Sequence, residues 1–69
     1  MNKTMILAIL VAYKAFNDKS LTIATNEHVY NNAIIDSIDG DNISISSWTN
    51  SGIYGKTINV NDIVGIQFQ

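Results

Sequence analysis

The side chains with chemical reach in this chain are one histidine, six carboxylates, several serines and a few aromatic residues, and their spacing limits what they can do. His28 stands next to Glu27, and one His with one Glu falls short of the three protein ligands a zinc site needs, so His28 reads as a solvated loop residue. Asp36, Asp39 and Asp41 gather around one glycine. They lack the regular series of oxygen ligands and the closing bidentate glutamate of a calcium loop, so turn chemistry explains them better. Ser37, Ser44, Ser46, Ser47 and Ser51 have no second histidine or other base to activate them. The expectation is a protein that is not an enzyme and takes no metal and no cofactor.

What remains is recognition. Tyr30, Trp48 and Tyr54 fall near strand ends or turns, where an aromatic ring stacks on a base or anchors a protein partner, or else completes the rim of the core. Tyr54-Gly55-Lys56 is the most compact ligand candidate: a stacking face, an approachable backbone and one cation. The formal charge is −2, and every basic residue is a lysine, at Lys3, Lys14, Lys19 and Lys56. Without arginine there is no bidentate donor for phosphate or guanine and no basic stripe, which counts against general nucleic-acid binding.

The elements that must carry these groups follow from periodicity. From Asn2 to Phe16 the residues Ile6, Ile9, Leu10, Tyr13 and Phe16 recur at three and four, so a helix is expected there, begun by Asn2 or Thr4 and ended by Asn17-Asp18. Met5, Leu7, Ala8, Val11 and Ala12 make its other faces apolar too, and a helix apolar nearly all round is buried on more than one side. Leu7 and Val11 are therefore expected to meet another subunit or a partner. The run from Met5 to Val11 is too short to span a membrane, and Lys14 interrupts the place for a secretory cleavage site. A cytoplasmic protein without membrane contact is expected.

After Ser20 the period becomes two. Leu21 to Ala24 forms a first strand, Thr25-Asn26-Glu27 a turn, and His28 to Ile38 a long second strand in which adjacent Ile34 and Ile35 demand a bulge or an outward isoleucine. Asp39-Gly40-Asp41 is a hairpin signal, leading to a third strand from Asn42 to Trp48 in which Ile43 and Ile45 alternate with Ser44 and Ser46. Thr49 to Gly52 turns into a fourth strand, Ile53 to Val60, with Ile58 and Val60 inward. Asn61-Asp62-Ile63 then turns into a last strand, Val64 to Phe68. Connections this short make the sheet antiparallel. The expected fold is one domain over 1–69, mainly β, with the helix within 1–18 and five strands within 20–69 that close into a small barrel capped by the helix. A chain of 69 residues without cysteine has no disulfides or thiolate metal site to stabilise it, which leaves self-association.

The order of one helix and five antiparallel strands, the Asp39-Gly40-Asp41-Asn42 turn and the closing Val60-Asn61-Asp62-Ile63-Val64-Gly65-Ile66 resemble the Sm-like small barrels over most of the chain. The resemblance implies a nucleotide pocket that includes Asp39 and Asn42. It also implies rings in which strand four of one subunit pairs with strand five of the next, so that Ile58, Val60, Ile66 and Phe68 join Leu7 and Val11 as interface candidates. The family's basic residue beside a glycine near the last turn is replaced by Ile58-Asn59-Val60, and its strand-two glycine by Asn31-Asn32.

Two functions fit. The first is a homo-oligomeric, non-catalytic binding module of phage, plasmid or bacterial accessory type that meets a protein partner through surfaces built at subunit junctions. The second is an RNA or small-nucleotide binder of Sm-like kind, with Trp48 or Tyr54 stacking, Asn42 reading a base edge beside Asp39, and Lys56 meeting phosphate.

Overall fold

In the computed structural model, which describes residues 2–15 and 20–68, helix α1 spans Lys3–Ala15. Its start is set by Asn2, whose side-chain oxygen accepts the Thr4 N–H at 2.7 Å, as an N-cap does. The expected helix end at Phe16 and Asn17-Asp18 lies outside the described residues. Five strands follow: β1 (Leu21–Thr25), β2 (Val29–Asp39), β3 (Asn42–Thr49), β4 (Gly52–Asn59) and β5 (Ile63–Phe68). A 3-10 turn, Val60–Asp62, separates β4 from β5, and the Asn59 side chain caps it by accepting the Asn61 N–H at 2.8 Å. Val60 thus belongs to this turn, and Ile63 to the last strand.

All ladders are antiparallel, in the order β4-β3-β2-β1-β5. Gly40 takes φ +60° in the β2–β3 hairpin, the left-handed conformation that glycine adopts without steric cost. The adjacent isoleucines are reconciled as expected of a bent strand. Ile35 faces the core, Ile34 faces outward opposite Ser46, and the register slips by one residue just beyond, between Ile35 and Ser37.

The sheet does not close into the expected barrel. After β4 the 3-10 turn delivers the chain to β1, so β5 is laddered on β1 alone, and β4 and β5 remain the two open ends. The bend still suffices to enclose one core. Leu21, Ile23, Ala33, Ile35, Ile43, Ile45, Ile58 and Val60 supply it from the sheet and the turn, and α1 contributes Ile6 and Leu10 while packing against β2 and the 3-10 turn. Lys3 pairs with Asp41 at 2.9 Å, and Tyr13 stacks on Phe68 with ring centroids 5.2 Å apart. Among the described residues no helix is long and apolar enough to cross a membrane.

The helix has one face in the core. Leu10 is fully covered whereas Val11 is 56 % exposed. Leu10→Ala is therefore expected to lower the unfolding free energy by about 3 kcal/mol, the cost of a buried leucine plus its cavity, and Val11→Ala by less than about 0.5 kcal/mol. Urea melts of the two variants check this, and equal losses would mean that α1 is anchored elsewhere.

Candidate functional site

A single backbone feature opens the most distinctive surface of the molecule. Asn32 holds φ +52°, the one positive φ outside glycine among the described residues. The β2–β3 ladder ends beside it at Ala33↔Ser47. Beyond this point the strands part company: β2 follows β1 through Ile23↔Tyr30 and Ala24↔Val29, while β3 follows β4 as far as Thr49↔Gly52. Ser47, a buried polar residue, ties the throat of the fork by donating its hydroxyl to the Asn31 carbonyl at 2.6 Å.

The fork holds a cleft of ≈ 420 Å³, with His28 to Asn31 on one wall, Ser47 to Asn50 on the other, and Tyr54 completing it. Its rings form a row. His28 lies 4.7 Å from Tyr30 at 59°, and Tyr30 lies 6.4 Å from Tyr54 at 15°. Tyr30 is almost wholly covered, but Trp48 is 55 % and Tyr54 42 % exposed. None of the residues lining this cleft carries a fixed charge.

Tyr30 also borders a second cleft of ≈ 350 Å³, between the β1–β2 turn and the inner side of β4. Asn42 and Lys56 line it, together with Glu27 and Asp62. Two carboxylates around one ammonium leave the second cleft with a negative balance, unfavourable for phosphate. The ligand candidates are therefore divided: Asn42 and Lys56 share the polar cleft, Trp48 and Tyr54 share the aromatic one, and Asp39 lines neither, closing β2 opposite Asn42.

The acidic cluster is dispersed in the same way, since Asp36 accepts the Ser46 hydroxyl and Asp41 pairs with Lys3. No group of three His, Cys, Asp or Glu able to hold a metal ion occurs among the described residues. Of the interface candidates, Ile58 and Val60 are buried in the chain's own core, Leu7 and Ile66 are half-buried against it, and Val11 and Phe68 are exposed. The left-handed Asn32 and the ring row through Tyr30 are the features that sequence reasoning missed. The Asn31-Asn32 pair was their one signal, because asparagine tolerates that conformation better than most residues.

No protein-family model, no curated protein and no solved structure matches this chain.

Burial holds the Tyr30 hydroxyl above the ordinary tyrosine value of 10.0, and the neighbouring Tyr54, through charge and hydrogen bonding, and Glu27 add to the shift. A raised folded-state value means that the folded protein keeps a proton which the unfolded chain releases. The associated stability is complete below pH 10.0 and is lost as the pH rises through the folded value. Tyr30→Phe removes this proton. Its urea midpoint is expected to fall less steeply than that of the wild type above about pH 10, and identical slopes would show that Tyr30 is not held in this way.

Proposed function

We propose that this chain is a non-catalytic, Sm-like module that associates with copies of itself through the open ends of its sheet and presents the resulting junctions to a protein partner in the cytoplasm. The observation that carries the reading is the state of those ends. β4 and β5 each have a ladder on one side only. An unpaired edge exposes a row of N–H and C=O groups, and proteins that must keep such an edge single blunt it with charge or proline. Here β5 has no charged residue, β4 has only Lys56 and the chain contains no proline, so beyond that lysine the one blunting feature is the single-residue slip of β5 at Val64 against β1.

The side chains support the same assignment. Ile53, Tyr54, Val64 and Phe68 are large apolar or aromatic residues of the edge strands, and each is more than two-fifths exposed. Pairing β4 of one copy with the six residues of β5 of the next would lay down about 20 Å of new ladder and continue the sheet from copy to copy. Strands four and five are also the pair that the Sm-like resemblance assigns to ring closure. Ile58 and Val60, already in the core, serve this arrangement by holding the end of β4 in place rather than by touching the neighbour. The aspartate, asparagine and lysine pocket of a phosphate-binding version receives no comparable support, because Asp39 stands apart and Glu27 and Asp62 oppose Lys56.

Light scattering on a sizing column tests the proposal. The wild type is expected at a discrete multiple of 7.6 kDa, and Ile53→Lys with Val64→Lys, which charge both edges at exposed positions, is expected to return it to the single-chain mass. A wild type that runs as a single chain at tens of micromolar overturns the reading. So does an oligomer that survives both lysines yet dissociates on Val11→Asp, because that result moves the interface to the helix.

A further inference from the structure

We propose that Lys56 selects the partner strand in self-association: it turns β4 away from the β4 of another copy and leaves the uncharged β5 as the strand that β4 accepts. The inference rests on the association through open edges proposed above, and it names the residue that decides which edge meets which.

Two open edges allow β4 to meet β4, β5 to meet β5, or β4 to meet β5. The first two junctions are two-fold and use up the edge they join, whereas the third is head-to-tail and hands a free edge on to the next copy. Backbone groups alone do not separate the three, because every edge offers the same row of N–H and C=O groups. Side chains must do so.

Lys56 stands where such a choice is made. It falls near the middle of β4, and its ladder partner on β3 is the core residue Ile45, so its side chain leaves the strand on the concave face of the sheet. An inward-pointing lysine on an edge strand is one of the devices that keep edges from joining. When two copies of β4 run antiparallel and continue one sheet, only residues of the same face come opposite each other. The two longest overlaps that satisfy this place Lys56 opposite Lys56 of the second copy, or opposite Tyr54 with the two lysines on the diagonal. Directly opposed side chains stand about 4.5–5.5 Å apart and diagonal ones about 7–8 Å, within reach of long side chains, and like charges so placed weaken the pair.

Against β5 the same lysine meets no such obstacle. β5 carries no charged side chain, so no register sets a like charge against Lys56. The carboxylates of Glu27 and Asp62 line the same cleft as Lys56 within its own chain. A neighbouring β5 leaves them to that one ammonium, whereas a neighbouring β4 brings a second ammonium to the same place. Pairing of β5 with β5 is opposed by another feature, since the slip at Val64 leaves only residues 65–68 in regular register and a two-fold junction would contain that slip twice.

The test blocks β5 and observes what β4 then does. Val64→Lys charges the β5 edge at an exposed position, and light scattering on a sizing column follows full chains that carry it. With Lys56 in place this chain is expected at the single-chain mass of 7.6 kDa. Adding Lys56→Thr, which is neutral and favourable in strands, is expected to let β4 pair with itself and to tighten dimerisation at least about tenfold. Adding Lys56→Glu instead is expected to leave the chain single, yet an equal mixture of it with the Val64→Lys chain is expected to form a mixed dimer, because the opposed charges then attract. The mixture separates charge from strand propensity. Lys56 is exposed, so these variants should fold, and circular dichroism checks that they do. The proposal is overturned if Val64→Lys alone dimerises, if Lys56→Thr brings no pairing, or if the Lys56→Glu chain dimerises by itself as readily as in the mixture. A wild type that runs as a single chain sinks the association reading without altering this comparison, so the two failures are told apart.

Discussion

A chain this short has one layer of branched aliphatic side chains to hide and only one sheet with which to hide it, so the sheet must bend around its own inner face. Ile23, Ile35, Ile43, Ile45 and Ile58 are covered because strands that are neighbours in the ladder curve toward one another, with Ile6 and Leu10 of the helix filling the remaining side. Bending a ladder costs register. The slips between Ile35 and Ser37, between Leu21 and Ile23 and between Ala24 and Thr25, together with the left-handed Asn32, are the places where that curvature is taken up.

Two surfaces follow from this one requirement. Where β2 turns away from β3 the sheet splits, and a cleft with aromatic walls appears between the branches. Where the curve falls short of closure, β4 and β5 are left as edges. The fork is a local adjustment already satisfied in part by Ser47 and Asn31, and it leaves room for something small. The edges are extended and nearly uncharged, with a single slip in β5 at Val64, and an open strand of that kind can be matched by another.

The elements were readable from the chain because their signals are local: alternation of isoleucine with serine in β3, the Asp39-Gly40-Asp41 turn, and the three-and-four spacing of Ile6, Leu10 and Tyr13. That Ile34 and Ile35 demand a bulge or an outward isoleucine was legible for the same reason, but which of the two turns outward was not. Closure was not, since whether β5 lies beside β1 alone or beside β4 as well depends on how far five strands have curved in sum, and no single residue reports that. The candidate site divided along the same line. Tyr54 and Trp48 were recognised as aromatics at strand ends, but their separation from Asn42 and Lys56 by Tyr30 is a property of the bent sheet. Ile58 and Val60 show the limit from the other side, because an inward residue near an edge has the same periodicity whether it serves the core or a neighbour.

The contacts of α1 also bear on the order in which the molecule comes into being. Ile6 and Leu10 are buried against β2 and the 3-10 turn at Val60–Asp62, and Tyr13 rests on Phe68, so the first element of the chain is completed by the last. Contacts so distant in sequence are slow to form, since the intervening loop must close before they contribute. On a ribosome the helix would emerge as an apolar segment and wait until almost every other residue had been added before its site existed. With no proline in the chain, no prolyl isomerisation lengthens that wait. The interval in which the helix stands uncovered is set by the time needed to synthesise the rest of the sheet.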